Sequence, residues 1–165
     1  MNIALLVIDM QKAFFNGFSK KSMGNASKYI NHIVDVFRNK NKKVIWIQDE
    51  DEKNGNIRGT DGFEIIDLLK PKKNEKRIIK HYGNSFNKTE LMKFILEENI
   101  DTIIITGYCA EYCVLSTYRG ALDNDLTPKL LKNAIASGDK ENIKFVENIS
   151  EIITMKALKK IINEL

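Results

Sequence analysis

The chain has 165 residues, of which 43% are hydrophobic and 29% charged, and its net charge is +4. This length and apolar content predict a single domain spanning residues 1–165. The densest basic run, residues 70–77, contains no aromatic residue, which disfavours a nucleic-acid-binding surface. No apolar run approaches the ~18 residues that a membrane span needs, and the N-terminus lacks the charged lead of a signal peptide. These features predict a cytoplasmic protein with neither a membrane nor a nucleic acid as partner.

Apolar runs of strand length alternate with segments that carry apolar residues at helical spacing. The first run, residues 3–8 (IALLVI), is apolar throughout, as expected for a strand that is buried on both faces. Five further strands are predicted over residues 44–48, 77–80, 101–106, 128–131 and 151–154. Helices are predicted over residues 26–38, 63–69, 89–98, 113–123, 139–148 and 156–163. The alternation predicts an α/β fold, a three-layer α/β/α sandwich around a mainly parallel, Rossmann-like sheet of about six strands.

Residues capable of chemistry follow several of these strands. Asp9 follows the first strand, residues 48–51 end the second, Lys80 ends the third and Cys113 comes after the fourth. Because parallel sheets bind ligands at the carboxyl ends of their strands, we expect these side chains to share one edge of the sheet.

Cys113 follows the turn that begins at Gly107, so we expect it near the N-terminus of the next helix. Unpaired N–H groups and the helix dipole would there favour a thiolate and hold a developing oxyanion. The alternative is a buried cysteine that behaves as a small apolar residue. The other cysteine, Cys109, is less favourably placed and is predicted to be structural. A reducing compartment would keep both as thiols.

Asp9 and Lys80 each allow two interpretations. Asp9 is either a general base for a thiol and later for water, or a carboxylate bonded to loop amides. Lys80 either stabilises negative charge beside the sulfur, or is a surface lysine at a strand end. A nucleophilic cysteine usually has a base and an electrostatic helper beside its sulfur, so the presence of all three side chains at strand ends favours the catalytic interpretation.

Four stretches of the chain resemble the isochorismatase-like cysteine hydrolases, the superfamily that includes nicotinamidases. The resemblance covers roughly residues 3–137 in order. The matching stretches are residues 6–11 (LVIDMQ) with Phe14, 59–64 (GTDGFE), 80–86 (KHYGNSF) with Thr89 and Leu91, and 105–114 (ITGYCAEYCV) with Thr117 and Ala121.

The resemblance implies a role for each matched residue. Cys113 would be the nucleophile, Asp9 the general base and Lys80 the third catalytic residue. The amides of Ala110 and Cys113 would form the oxyanion hole, and a cis peptide bond would join Cys109 to Ala110. The implied reaction is hydrolysis of an amide or carbamoyl C–N bond in a small molecule through a thioester on Cys113. A homo-oligomer, dimer or tetramer, is also implied.

The chain departs from nicotinamidases where they bind a metal. Nicotinamidases carry an Asp-x-His pair after the second strand and a further His. Here Asp49 matches the aspartate, but no histidine follows before His81. We therefore predict no metal and no cofactor, and a substrate other than nicotinamide; an all-carboxylate Mg²⁺ or Ca²⁺ site near Asp49 is the alternative. Three further departures bear on the substrate, and they are Ala13, Ala110 and Asn133.

Two aromatic residues adjoin the catalytic motifs. Phe14 and Tyr112 are predicted to contact a small, partly planar substrate, whereas Trp46 lies within a strand and is predicted to be core. A second functional hypothesis is a non-hydrolytic small-molecule-binding or thiol-redox protein. Its redox form requires a disulfide between Cys109 and Cys113, whose Cα atoms would have to lie within ~7 Å.

Overall fold

Six parallel strands form one sheet in the order β3-β2-β1-β4-β5-β6. The computed structural model describes residues 1–164, apart from the side chain of Asn54. The predicted domain extends one residue further, and Leu165 lies outside the described residues. The strands are β1 (Ile3–Ile8), β2 (Lys43–Asp49), β3 (Lys76–Lys80), β4 (Thr102–Tyr108), β5 (Thr127–Ala136) and β6 (Ile152–Ile153). The helices are α1 (Gly17–Asn39), α2 (Leu91–Glu97), α3 (Leu115–Asp123), α4 (Lys140–Asn148) and α5 (Met155–Glu164).

The predicted three-layer α/β/α architecture is confirmed. Helices α1 and α5 pack on one face of the sheet, and α2, α3 and α4 pack on the other. Successive residues of β1 alternate between the two cores: Leu5 faces α1 and α5, whereas Leu6 belongs to the opposite core. Every residue of β1 is at most 2% exposed. Burial on both faces accounts for the uninterrupted apolar sequence of this strand.

The predicted helix over residues 63–69 is wrong. A 3₁₀ turn spans Asp61–Phe63, and the chain then runs extended beside residues 10–12. The Ile66 amide donates to the Met10 carbonyl oxygen at 2.9 Å, and the Lys12 amide donates to the Glu64 carbonyl oxygen at 2.9 Å. Spacing by three residues suggested a helix, but this loop buries the same apolar side chains while its backbone bonds to another segment.

Other elements differ from prediction in their bounds. Helix α1 begins nine residues earlier than predicted, at Gly17, and β5 continues to Ala136 instead of ending at residue 131. The helix predicted over residues 113–123 is a π-helical turn, Ala110–Val114, followed by α3. Among residues 1–164, no helix combines the length and apolar character that crossing a bilayer requires.

The direction of strand addition reverses between β1 and β4, which is where open parallel sheets form a ligand crevice. Gly107 makes the close approach of these two strands possible. It pairs with Ile8 and has φ 113°. A Cβ on residue 107 would lie 2.1 Å from the Ile8 carbonyl oxygen. The glycine therefore brings Asp9, which follows β1, next to the turn that follows β4.

Candidate active site

Lys80 brings together the three side chains that were predicted to be catalytic. It is fully buried at the end of β3. Its Nζ lies 2.8 Å from Oδ2 of Asp9 and donates to Sγ of Cys113 at 3.3 Å. Strand β2 lies between β3 and β1, so the side chain of Lys80 must be long enough to reach over the end of β2 to Asp9.

Asp49 is a fourth member of this cluster. The residue pairs with Lys80 in the β2–β3 register, and its Oδ1 accepts a 3.1 Å hydrogen bond from Nζ. Its Oδ2 accepts from Nδ2 of the buried Asn56 at 2.9 Å. Two carboxylates thus face the Lys80 ammonium, which offsets the cost of burying the cation. Asp49 was predicted to lie at this edge of the sheet and was considered only as a metal ligand; its contact with Lys80 was not predicted.

Asp9 is a buried carboxylate in an uncommon backbone conformation. Its φ is 49°, a left-handed value that aspartate tolerates better than most residues, and its amide donates to the Ile47 carbonyl oxygen at 2.9 Å. Burial raises the pKa of Asp9 from 3.8 to about 6, against the lowering effect of Lys80 and of the Cys113 thiol. Apart from the ion pair with Lys80, its oxygens accept no aligned hydrogen bond from residues 1–164. The group is therefore ionised at neutral pH and free to accept a proton.

Cys113 lies within the π-helical turn, two residues before α3 begins. The amides of Tyr112 and Val114 both donate to the Cys109 carbonyl oxygen at 3.1 Å, which closes the turn. Burial raises the pKa of the Cys113 thiol, and Asp9 raises it further, whereas Lys80 lowers it. The expectation that a helix N-terminus would favour a resting thiolate is therefore wrong, because the partly buried sulfur lies beside a carboxylate, which raises the pKa of the thiol. The thiol needs a base.

The cis peptide bond lies one position earlier than the resemblance implied. It joins Tyr108 to Cys109, and not Cys109 to Ala110. Strand β4 runs two residues beyond its predicted end, to Tyr108, so the junction between strand and turn falls at this bond.

Gln11 fixes the end of β2 and was not recognised from the sequence. Its side chain is fully buried. Its Nε2 donates to the Asp49 carbonyl oxygen at 2.9 Å, and its Oε1 accepts from the Asp49 amide at 2.8 Å. Both backbone groups of Asp49 are thereby held, which positions the carboxylate that faces Lys80. Gln11 lies three residues after the end of β1, and its burial, which requires hydrogen-bond partners, is visible only in the structure.

The isochorismatase domain family matches residues 3–150 of the chain. The chain belongs to the isochorismatase family. It is 32% identical over 148 residues to the isochorismatase family protein YddQ of Bacillus subtilis, a match that covers 83% of this chain and 79% of that protein.

Solved structures of the family share the fold. An isochorismatase-like hydrolase from Alkaliphilus metalliredigens superposes with a TM-score of 0.89 and 25% identity, over 98% of this chain and 99% of that chain. N-carbamoylsarcosine amidase from Thermoplasma acidophilum superposes with a TM-score of 0.77 and 25% identity, over 93% and 95% of the two chains. The family resemblance carried by the sequence motifs is thereby confirmed.

The metal of nicotinamidases does not fit the residues present here. Within residues 1–164, no three His, Cys, Asp or Glu side chains are grouped to hold a metal ion. Asp49, which matches the aspartate of that metal site, has both carboxylate oxygens bonded, one to Lys80 and one to Asn56. No step of the reaction is therefore assigned to a metal.

The aromatic candidates lie on segments that flank the cluster. Phe14 is half-buried and stacks on Tyr108 with ring centroids 5.4 Å apart. Tyr112, in the π-helical turn, is 68% exposed. Trp46 is core as predicted: it is buried, and its Nε1 donates to Oε2 of Glu75 at 2.8 Å.

The two cysteines are free and have different partners. Cys113 contacts Lys80, whereas the buried Cys109 donates to Oε2 of Glu111 at 3.1 Å. Burial raises the pKa of Cys109 to about 12, and the adjacent Glu111 carboxylate contributes to the rise. Cys109 therefore remains a protonated thiol at neutral pH.

Proposed function

We propose that this protein hydrolyses an amide or carbamoyl C–N bond of a small molecule, with Cys113 as the nucleophile. The observation that carries the proposal is the buried Lys80 ammonium, which contacts Oδ2 of Asp9 and Sγ of Cys113 at once. Together they supply a nucleophile, a base and a fixed positive charge, which acyl transfer through a thiol can use. The structural similarity to N-carbamoylsarcosine amidase supports this class of bond.

In the first half of the reaction, Sγ of Cys113 attacks the substrate carbonyl carbon while the thiol proton passes to Asp9. The amides of Ala110 and Cys113, which belong to one turn, hold the oxyanion of the tetrahedral intermediate. The C–N bond then breaks, and the leaving nitrogen takes the proton from Asp9. The products of this half are ammonia or an amine and a thioester on Cys113.

In the second half, Asp9 takes a proton from water, and the resulting hydroxide attacks the thioester carbonyl. The C–S bond breaks, and the proton returns from Asp9 to the sulfur, which releases the acid and restores the thiol. The raised pKa of Asp9, about 6, suits a group that must both accept and donate a proton near neutral pH.

Lys80 supplies a fixed positive charge in this scheme. Burial alone would lower the pKa of Lys80, but the charges of Asp9, Cys113 and Asp49 raise it above its usual value. The side chain therefore stays an ammonium throughout the cycle. Its charge stabilises the sulfur as it loses its proton, and it orients the Asp9 carboxylate.

We also propose that Phe14 and Tyr112 contact a small, partly planar substrate, because each lies on a segment beside the catalytic cluster. The protein is proposed to be cytoplasmic and to form a dimer or tetramer, as the family resemblance implies. Analytical ultracentrifugation of the purified protein tests the proposed oligomeric state, and a monomer at all concentrations would contradict the proposal.

A panel of small amides, ureides and carbamoyl compounds tests the proposed reaction through ammonia release. At least one compound should be hydrolysed, and Cys113→Ala should lower the rate at least about 10³-fold. Intact-mass spectrometry should show an acyl adduct on the wild-type enzyme during turnover. Lys80→Met should be inactive, whereas Lys76→Met, at the opposite end of the same strand, should be active. Full activity of Cys113→Ala would overturn the proposal.

A further inference from the structure

The carboxylate of Glu111 links the nucleophile turn to neighbouring elements. Glu111 lies two residues before Cys113, in the π-helical turn. Its Oε1 accepts hydrogen bonds from Ser137 Oγ at 3.0 Å and from Asn142 Nδ2 at 2.8 Å, and its Oε2 accepts from Cys109 Sγ at 3.1 Å. We call Cys109, Glu111, Ser137 and Asn142 the Glu111 cluster.

The partners of Glu111 are themselves anchored. Ser137 directly follows β5 and is 2% exposed. Its amide donates to Oγ of Ser22 in α1 at 3.1 Å, and its Oγ accepts from the amide of Asp139, the N-cap of α4, at 3.0 Å. Asn142 belongs to α4. The turn that carries Cys113 is thus hydrogen-bonded directly to Ser137, which follows β5, and to α4, and it is linked to α1 through Ser137.

Glu111 is ionised and Cys109 is protonated, so within the Glu111 cluster the carboxylate accepts hydrogen bonds and the thiol donates one. Burial by itself would raise the pKa of Glu111, but the hydrogen bonds from Cys109, Ser137 and Asn142 hold it below its ordinary value. Cys109 stays protonated because its pKa is raised to about 12. A carboxylate that accepts from three donors makes charge-assisted hydrogen bonds, which are shorter and stronger than bonds between neutral groups.

We propose that Glu111 is a positioning residue, which holds Sγ of Cys113 and the amides of Ala110 and Cys113 in the geometry that the reaction needs. The inference rests on the proposed hydrolase function. It also assigns a role to the second cysteine: Cys109 is a hydrogen-bond donor to Glu111, and not a partner in a redox disulfide. A displacement of about 1 Å at such a turn is enough to lower a rate about 10²-fold.

A purely structural role for Glu111 predicts a different result. Loss of a structural contact lowers the melting temperature and leaves the folded enzyme as active as before. Loss of a positioning contact lowers kcat in molecules that are still folded, with little change in KM, because the turn serves the transition state more than substrate binding. Assays well below the melting temperature of every variant separate the two.

The experiment compares Glu111→Ala, Glu111→Gln and Asn142→Ala with the wild type. The matched control is Glu141→Ala, because Glu141 is an exposed acid beside Asn142 whose carboxylate pairs with Lys144. We expect Glu111→Ala to lower kcat about 10- to 100-fold with KM changed less than about twofold. Glu111→Gln, whose amide oxygen still accepts from Ser137 and Asn142, should recover part of the loss. Asn142→Ala should lower kcat about 3- to 10-fold, and the control should match the wild type.

Alkylation of Cys113 by iodoacetamide gives a readout that needs no substrate. Peptide mass spectrometry follows the rate, which should change at least about threefold in Glu111→Ala, because the contacts of the sulfur with Lys80 and Asp9 depend on the turn. If Glu111→Ala does not fold, the same measurements are made on Asn142→Ala, which removes one of the three donors to Glu111.

The outcomes separate this inference from the proposed function. A Glu111→Ala enzyme with wild-type kcat and a wild-type alkylation rate overturns the positioning role, even if its melting temperature falls. Activity that survives Cys113→Ala overturns the hydrolase proposal instead. If no compound of the panel is hydrolysed, the alkylation rates still decide the role of Glu111.

Discussion

The pH dependence of activity tests the proposed role of Asp9 as the base. Burial holds its pKa at about 6, compared with an ordinary 3.8. A base must be unprotonated, so activity is present above this pKa and is lost as the pH falls through it. We expect kcat/KM, which reports ionisations of the free enzyme, to fall to about one tenth of its plateau at one unit below the pKa. An aspartate with the ordinary value would retain nearly full activity there.

Asp49→Asn should move this acid limb to lower pH. The Asp49 charge raises the pKa of Asp9, and its removal also leaves the Lys80 ammonium with Asp9 as the remaining acidic partner in the cluster. Nζ of Lys80 lies 2.8 Å from one carboxylate and 3.1 Å from the other, so their nearest oxygens are at most about 6 Å apart. Two unit charges at about 6 Å interact by about 0.7–3 kcal/mol for effective dielectric constants of about 80 to 20. The midpoint should therefore fall by about 0.5–2 pH units.

The assay is ammonia release at constant ionic strength from about pH 3 to 8, with the best substrate of the panel. Asp61→Asn is the control, because Asp61 is an exposed acid that pairs with Lys12; its profile should match that of the wild type. A wild-type midpoint near pH 4 would show either that Asp9 is not the base or that burial does not raise its pKa. A midpoint that rises in Asp49→Asn would refute the electrostatic reasoning.

Substitutions around the site and metal removal give four further tests. Gly107→Ala places a methyl group 2.1 Å from the Ile8 carbonyl oxygen at φ 113°; the melting temperature should fall by more than about 10 °C in calorimetry. Gly120→Ala meets the Asn84 side chain at 2.4 Å and should cost about 1–3 kcal/mol in urea unfolding, which adding Asn84→Ala should partly restore. Ionisation of Asp9 in the fold opposes stability because its folded-state pKa is raised, so Asp9→Asn should gain stability relative to wild type as the pH rises from 4 to 8. Treatment with EDTA should leave activity unchanged, and activity that is lost and then restored by added metal would contradict this.

The sequence predicted features of the fold that depend on local pattern. The apolar run of β1 indicated a strand buried on both faces, and the structure places it centrally in the sheet. The helix predicted over residues 63–69 failed because an apolar spacing of three also suits a loop whose backbone bonds to residues 10–12. Periodicity reports which side chains are buried, and it does not report where the backbone finds its hydrogen bonds.

The candidate site was predictable where its residues stand at strand ends. Lys80 ends β3, and Asp9 and Cys113 follow β1 and β4 of the same parallel sheet, so topology brings all three to one edge. Glu111 was not predictable in this way, because its partners Ser137 and Asn142 lie 26 and 31 residues later. Contacts of that range depend on how α4 packs against the turn, which no local pattern encodes.

The engagement of Asp49 bears on how the substrate carbonyl is activated. The sequence resemblance matched Asp49 to the aspartate of a metal site, whereas here both of its oxygens are bonded, to Lys80 and Asn56. The aspartate thus acts on the lysine that faces the sulfur and the base. In the proposed reaction, stabilisation of the oxyanion then depends on the amides of the π-helical turn, and backbone amides act only where the backbone is held. Two of the three hydrogen bonds of Glu111, those from Ser137 and Asn142, come from elements outside this turn, so we expect activity to be more sensitive to Glu111 than to either flanking aromatic residue.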